Sequence, residues 1–281
     1  MIMLMGRVKH AWKERTKYLV IFMDVAGAFN YVIHKRLIHD MKKRKVPEII
    51  VRWVENFLQD RSTRLKFNGV ESDRICTNAG IPQGSPISPI LYMFYNAELL
   101  EIPQERSGVL SLGFIDDIAY AAEGETEEGN ARELERMLIE AERWREKHGA
   151  RFEGSKYVLV QFTKAHMLTP EDEAQVRIGD TTIKHAEEAK YLGVMFDRKL
   201  SFHQHIQRAA KKGTQFALAI SRISNCTWGP PYHQIRTLFA SVTSPRMDYA
   251  ATVWYKPFQG INAPPINNYQ SRNSNQLNEW P

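Results

Sequence analysis

Residues 109–122 read Val-Leu-Ser-Leu-Gly-Phe-Ile-Asp-Asp-Ile-Ala-Tyr-Ala-Ala, two apolar runs flanking one pair of acids, Asp116 and Asp117. Such runs form strands, and the acids stand where a two-residue hairpin turn belongs. Adjacent carboxylates at one turn disfavour each other's ionisation. A divalent cation relieves that repulsion, and hard oxygen ligands suit Mg²⁺. A plain polar turn would use the same residues, because aspartate favours turns. The rest of the chain has to decide between the two.

A third acid narrows the choice. Residues 18–26, Tyr-Leu-Val-Ile-Phe-Met-Asp-Val-Ala, are apolar except for Asp24. This run predicts a buried strand. A charge there is costly unless it is paired or bound to metal. The alternative puts Asp24 at the strand's C-terminal edge, reaching solvent; the buried reading is preferred.

Between these acids lies Gly-Ile-Pro-Gln-Gly-Ser-Pro-Ile-Ser-Pro-Ile, residues 80–90. Gly80 and Gly84 allow backbone conformations and close approaches that other residues forbid. Pro86 and Pro89 predict a helix entrance, with Ser85 or Ser88 as its cap and Leu91, Tyr92, Phe94 and Tyr95 following. A glycine-rich loop feeding a helix N-terminus suits phosphate or backbone contact.

Several further elements are expected. Residues 35–46 form a helix with Leu37, Ile38 and Met41 on one face and a basic end that suits the helix dipole. After Pro47, the spacing of Ile49, Ile50, Trp53, Val54, Phe57 and Leu58 predicts a second helix with those residues in the core. Asn68-Gly69 marks a hairpin whose Arg64 and Lys66 make one face basic. Residues 130–148 are an amphipathic helix ended by Gly149. Residues 156–162 are a strand headed by Lys156, Gly179-Asp180 joins two more, and 190–196 is another. Ser201 and Gln204 form a capping box. The basic helix it opens turns Phe202, Ile206, Ala209, Ala210, Gly213, Phe216, Ala217 and Ile220 inward. His203 and His205, two apart, point different ways and make a poor metal site. A last helix lies near 231–242, and the Asn- and Pro-rich stretch 257–281 reads as a disordered tail.

Charge adds the partner class. Net charge is +6 over 281 residues, and it is segregated. Residues 34–66 hold ten Lys/Arg against four acids, 123–148 hold nine Glu against five Lys/Arg, and 198–222 hold six Lys/Arg and no acid. Two basic stretches and one acidic helix suit a nucleic-acid groove. Cys76 and Cys226 fit no metal spacing, which points to a reducing compartment. No apolar run reaches membrane-spanning length, and no signal peptide is visible. The expectation is no membrane partner and an intracellular site, nuclear or cytoplasmic, not secreted.

Asp24 and, 92 residues on, the acid pair can hold two Mg²⁺ about 3.5–4 Å apart, the arrangement of polymerases and nucleases. In order along roughly residues 10–256, the segments resemble the palm and thumb of reverse transcriptases from non-long-terminal-repeat retrotransposons. Met-Asp-Val-Ala-Gly-Ala-Phe-Asn (23–30) resembles that family's first acidic motif. Gly80 to Pro86 resembles the loop that packs on the template base and incoming nucleotide. Phe114-Ile115-Asp116-Asp117 resembles its second acidic hairpin, and Tyr191-Leu192-Gly193 its primer-grip strand pair. The set is specific; each motif alone is weak.

The resemblance implies an α+β polymerase fold. A palm of antiparallel sheet with packed helices and partial fingers would span 1–200, with a helical thumb over 201–256 and the tail over 257–281. It implies an RNA-directed DNA polymerase acting on an RNA template, a DNA primer, their hybrid and deoxynucleoside triphosphates, with two Mg²⁺ ions or Mn²⁺ as the alternative. Asp24, Asp116 and Asp117 would be catalytic. Asp24, Val25, Asp116 and Asp117 would hold metal. Phe29 would screen out a ribose 2′-hydroxyl. Gln83, Gly84 and Lys156 would contact substrate, and Leu192 and Gly193 would grip the primer. Two departures stand out: Asn30 replaces a second acid, and Phe114-Ile115 replaces Tyr-Ala. The fingers segment would lie upstream, so a truncated copy with the fingers largely missing is expected. The alternative is a catalytically inactive nucleic-acid-binding remnant of the same fold, with salt-dependent affinity from its basic hairpin and thumb helix. A maturase-like splicing factor would need a basic domain after the thumb and ranks last.

Overall fold

The computed structural model describes residues 1–103, 107–164, 173–179, 181–224 and 228–255. Cys226, Asp180 and the tail 257–281 lie outside them. Two compact units divide the chain: Val8–Leu192, and Met1–Arg7 together with the described residues from Gly193 onward.

In chain order the first elements are α1 (Ile2–Glu14), β1 (Lys17–Asp24), α2 (His34–Lys43) and α3 (Glu48–Leu58). A ribbon of four short strands follows: β2 (Ser62–Thr63), β3 (Lys66–Phe67), β4 (Val70–Glu71) and β5 (Ile75–Cys76). Next come α4 (Ser88–Tyr95), α5 (Ala97–Leu100), β6 (Val109–Phe114), β7 (Asp117–Gly124), α6 (Glu127–His148), β8 (Val158–Phe162), β9 (Gln175–Ile178), β10 (Thr181–Lys184) and β11 (Glu188–Tyr191). The second unit holds β12 (Val194–Asp197), α7 (His203–Arg222), α8 (Tyr232–Leu238), α9 (Ser244–Met247) and α10 (Ala251–Trp254).

The larger unit is organised on an antiparallel sheet in the order β6-β7-β1-β8. Its inner strand β1 is buried from Tyr18 to Met23. Burial of both faces explains why residues 18–26 lack polar alternation. One face presents Leu19, Ile21 and Met23, with Ile118, Tyr120 and Leu159 beside them. Leu134, Met137, Leu138 and Ala141 of α6 join that core, as do Leu91, Tyr92 and Tyr95 of α4. Thr126 caps α6 by accepting from the Gly129 N–H, and Gly149 ends it in the left-handed region. The inward face expected of 130–148 is buried as read from the sequence.

Several local expectations change. In α3, Val51, Val54 and Leu58 are buried, whereas Ile49, Ile50 and Trp53 are exposed. A helix buries one stripe, and here the apolar side chains occupy two. The outer stripe has its own contact: Trp53 and Phe57 stack at 5.5 Å. Neither Ser85 nor Ser88 caps α4. Ile87 holds the cap position, and Ser88 Oγ donates to the Pro82 carbonyl at 2.7 Å. The single strand expected over 190–196 is two, β11 and β12, because Leu192 and Gly193 turn at φ 48° and 82°.

In the second unit the Ser201–Gln204 capping box does not form, and Phe202 occupies the cap. The Asp197 carboxylate fixes the turn ahead of α7 instead, accepting from the N–H groups of Lys199, Ser201 and Phe202 at 3.1, 2.9 and 2.6 Å. Phe202, Ala209, Gly213 and Ile220 are buried as expected. Gly213 admits Met247 so closely that a Cβ there would lie 2.3 Å from the sulfur. Among the described residues no helix is long and apolar enough to cross a membrane.

Candidate active site

Register brings the acids together. Asp24 ends β1 directly opposite Asp117, the first residue of β7. The turn between β6 and β7 is Ile115–Asp116, one residue earlier than the acid pair itself. Ile115 sits at φ 58°, a region that β-branched residues avoid. Two outside bonds hold it. Asn96 Nδ2 donates to the Ile115 carbonyl at 2.8 Å, and the Val25 N–H donates to the Asp116 carbonyl at 3.1 Å. Asn96 is buried, and the sequence reading missed it. Its signal was one amide between two apolar helical runs.

Asp24 is not sealed in the strand. Its side chain is 27% exposed at the strand's C-terminal end, which corrects the expectation of a buried charge. Its Oδ2 accepts from Lys156 Nζ at 2.9 Å. Asp116 is exposed and Asp117 half-buried. The Asp117 carboxyl is pushed above the usual range, first by burial, then by the charges of Asp116 and Asp24, with Lys190 pulling the other way. The Asp117 charge and burial hold the Tyr191 hydroxyl up at about 12, burial contributing more. Three carboxylates, two on facing strand ends and one on the adjoining turn, therefore share one field. Hard oxygen donors that repel one another fit divalent cations.

The loop after β1 and the loop before α4 are zipped together. The Ile81 N–H donates to the Phe29 carbonyl, and the Gly80 N–H to that of Val32, both at 2.8 Å. His34 Nε2 donates to the Gly80 carbonyl at 2.7 Å. Gly80 lies at φ 82°, and a Cβ there would stand 2.9 Å from the Asn30 carbonyl oxygen. Only glycine meets both conditions. Phe29 is thereby fixed, and its ring packs edge-to-face on Tyr92 at 5.6 Å. The Tyr92 hydroxyl is buried without a hydrogen-bond partner among the described residues. Its pKa is raised by burial and by Asp116 and Asp24, which places it in the field of the acids. Gln83 and Gly84 are exposed on the same loop, Gly84 at φ 88°. The Val25 side chain is buried. Lys156 sits on the short 3-10 turn Gly154–Lys156, ahead of β8 rather than in it.

A second cluster, Asp40, Glu98 and His148, has ligand-type atoms within 4.8 Å of one another. Glu98 already meets Lys43 at 2.6 Å, Lys147 at 2.9 Å and Arg36 at 3.6 Å, and Arg36 also meets Asp40 at 3.3 Å. Those cations balance the acids, so the cluster ties α2, α5 and α6 together and leaves no net charge for a metal. Asp40 between the apolar Leu37 and Met41 was its sequence signal.

The family model described as reverse transcriptase (RNA-dependent DNA polymerase) matches residues 2–196. The RNA-directed DNA polymerase from mobile element jockey of Drosophila melanogaster is 28% identical over 200 residues, covering 69% of this chain and 21% of that protein. The Pol polyprotein of type-1 retrotransposable element R1 2 of Nasonia vitripennis is 27% identical over 183 residues, 63% of this chain and 43% of that one. The chain thus spans from a fifth to under half of these relatives' length. Among solved structures, apo telomerase from Candida tropicalis superposes with TM-score 0.52 at 12% identity, covering 92% of this chain and 48% of that one. At that identity the likeness is one of fold.

Proposed function

The chain belongs to the reverse transcriptase (RNA-dependent DNA polymerase) family, and from that membership we propose that it extends a DNA primer along an RNA template with deoxynucleoside triphosphates. By descent it is an RNA-directed DNA polymerase related to those of non-long-terminal-repeat elements. The observation that carries the proposal is the register pairing Asp24 with Asp117, with Asp116 at the adjoining turn.

In this reading Asp24, Val25, Asp116 and Asp117 would hold two Mg²⁺ ions, which would supply Lewis-acid activation of the primer hydroxyl and charge neutralisation for the leaving pyrophosphate. The chain's own contribution is position and charge, which dominate phosphoryl transfer. Phe29, braced by Tyr92 and by the bond to Ile81, presents a rigid ring where a 2′-hydroxyl would stand. Gln83 and Gly84 hold the nascent pair from an exposed glycine loop. Lys156 neutralises incoming phosphate, and the Leu192–Gly193 turn supports the primer end. Residues 1–200 act as palm and 201–256 as thumb, with Lys211 and Lys212, exposed on α7, supplying positive charge for a duplex backbone. The working assembly is an intracellular ribonucleoprotein, nuclear or cytoplasmic.

The test is primer extension on an RNA template with Mg²⁺. Asp116→Ala is expected to lower the rate on the order of 10³-fold, the scale of losing one preorganised electrostatic group. Equal extension by wild type and Asp116→Ala would falsify the site. Hybrid binding without extension by wild type, in Mg²⁺ and in Mn²⁺, would establish the remnant reading instead.

A further inference from the structure

Lys156 bridges two carboxylates. Its Nζ lies 2.9 Å from Asp24 Oδ2 and 2.6 Å from Glu153 Oε2. The segment that carries both residues is hung on the end of β1. The Ala26 N–H donates to the Arg151 carbonyl at 2.9 Å, Val25 and Phe152 form an antiparallel bridge, and the Glu153 N–H donates to the Asp24 carbonyl at 3.3 Å. The Lys156 N–H closes the turn onto the Glu153 carbonyl at 2.8 Å. The ammonium is thus held by its backbone within reach of both acids.

We propose that Lys156 is an internal competitor for the metal at Asp24, and that Glu153 is the positioning residue that receives its ammonium when the ion binds. The inference rests on the metal-binding reading of Asp24 given above. An ammonium and a divalent ion seek the same carboxylate lone pairs, and the two cations repel one another. Lys156 therefore opposes metal entry while it stays on Asp24 Oδ2. Glu153 offers the displaced ammonium a second carboxylate only one turn away. The side chain then remains at the rim of the site instead of dispersing into solvent. All three groups reach water, at 54% exposure for Lys156, 42% for Glu153 and 27% for Asp24, so the exchange needs no opening of the fold.

The test is Mn²⁺ titration of the full chain, without nucleotide, read from the electron paramagnetic resonance signal of free Mn²⁺. Lys156→Met is expected to tighten Mn²⁺ binding roughly 3- to 30-fold, within the range of coupling between residues in contact. Glu153→Gln is expected to weaken it several-fold, because the ammonium is left with Asp24 alone. The deciding arm is the double variant. If Glu153 acts through Lys156, Glu153→Gln has little effect once residue 156 is methionine. A general electrostatic influence of Glu153 would instead persist undiminished there, and that result overturns the proposal. So does unchanged affinity in Lys156→Met, checked with Lys156→Gln in case methionine disturbs the turn. Glu153→Asp, which keeps the charge, should restore most of the affinity. Asp24→Asn separates the two readings. If it leaves Mn²⁺ binding intact, the metal site itself is misassigned. If it abolishes binding while Lys156→Met changes nothing, only this inference falls.

Discussion

Two tight turns in the larger unit solve the same problem in opposite ways. The β3–β4 tip is Asn68–Gly69, at φ 48° and 80°. Those residue types adopt positive φ readily, so the ribbon turns where its own chain prefers to turn. Among the described residues its hydrogen bonds stay inside residues 60–77, such as the Ser72 N–H to the Leu65 carbonyl and Arg74 to Ser62. The β6–β7 tip puts Ile115 at φ 58°, against its preference. Distant groups impose it: Asn96 from the α4–α5 junction and Val25 from the end of β1. The ribbon is locally specified and the β6–β7 tip tertiarily specified. Strain held by surroundings is characteristic of functional sites, because the holding also fixes the side chains nearby.

The largest expected effect breaks that holding. Asn96→Ala removes the donor to the Ile115 carbonyl and leaves a small void in a buried setting. A loss of about 2–4 kcal/mol is expected, from an unsatisfied acceptor plus the cavity. Primer extension should fall further than stability alone accounts for, since Asp116 adjoins the released residue. Urea denaturation beside extension assays checks both. A change below about 0.5 kcal/mol would show that the tip is as self-sufficient as the ribbon.

The same contrast explains what was legible in the sequence. Features set within a few residues were read correctly: the apolar run of β1, the stripe of α6 with Gly149 after it, the Asn68–Gly69 turn, and the positive φ of Gly80 and Gly84. The acids themselves were legible because their strands were, and antiparallel register did the rest. Features set by distant partners were not. Nothing local says that Lys156 pairs with an acid 132 residues away, or that His34 holds Gly80. The serine caps are the local exception: Ser88 donates to the Pro82 carbonyl six residues back, and Asp197, four residues before Ser201, accepts from the Ser201 and Phe202 N–H groups and sets the entrance of α7 one residue later. Trp53 and Ile49 carry helical periodicity as clearly as Val54, and only the packing partner decides which stripe is covered.

A second prediction sharpens the comparison from the charged side of the tertiary ties. Burial alone would raise the Glu98 carboxyl, but hydrogen bonds from Lys43 and Lys147 outweigh it and hold the group at about 2. The folded chain thus keeps Glu98 ionised where the unfolded chain, with a value near 4.5, takes up a proton. The stabilisation is present above pH 4.5 and is lost as pH falls toward 2. Both lysines are about half exposed, so solvent screening limits the effect to about 1 kcal/mol. Glu98→Gln should therefore be less stable than wild type at pH 6, with the gap shrinking by pH 3. A gap that stays constant across that range would mean the glutamate holds α5 by packing and not by charge.

The smallest expected effect lies on the ribbon. Phe67 is 78% exposed, faces Val70 across the strand pair, and shares that face with Leu65, which is also exposed. A serine there uncovers no core, because the aromatic ring covers none. Phe67→Ser should change stability by less than about 0.5 kcal/mol, as surface substitutions do. Folding should be unaltered by circular dichroism. A loss above about 1.5 kcal/mol is the scale of a buried aromatic and would mean that this face is packed in solution. The ribbon would then depend on tertiary support as the β6–β7 tip does, and the distinction between the two turns would fail at its weaker end.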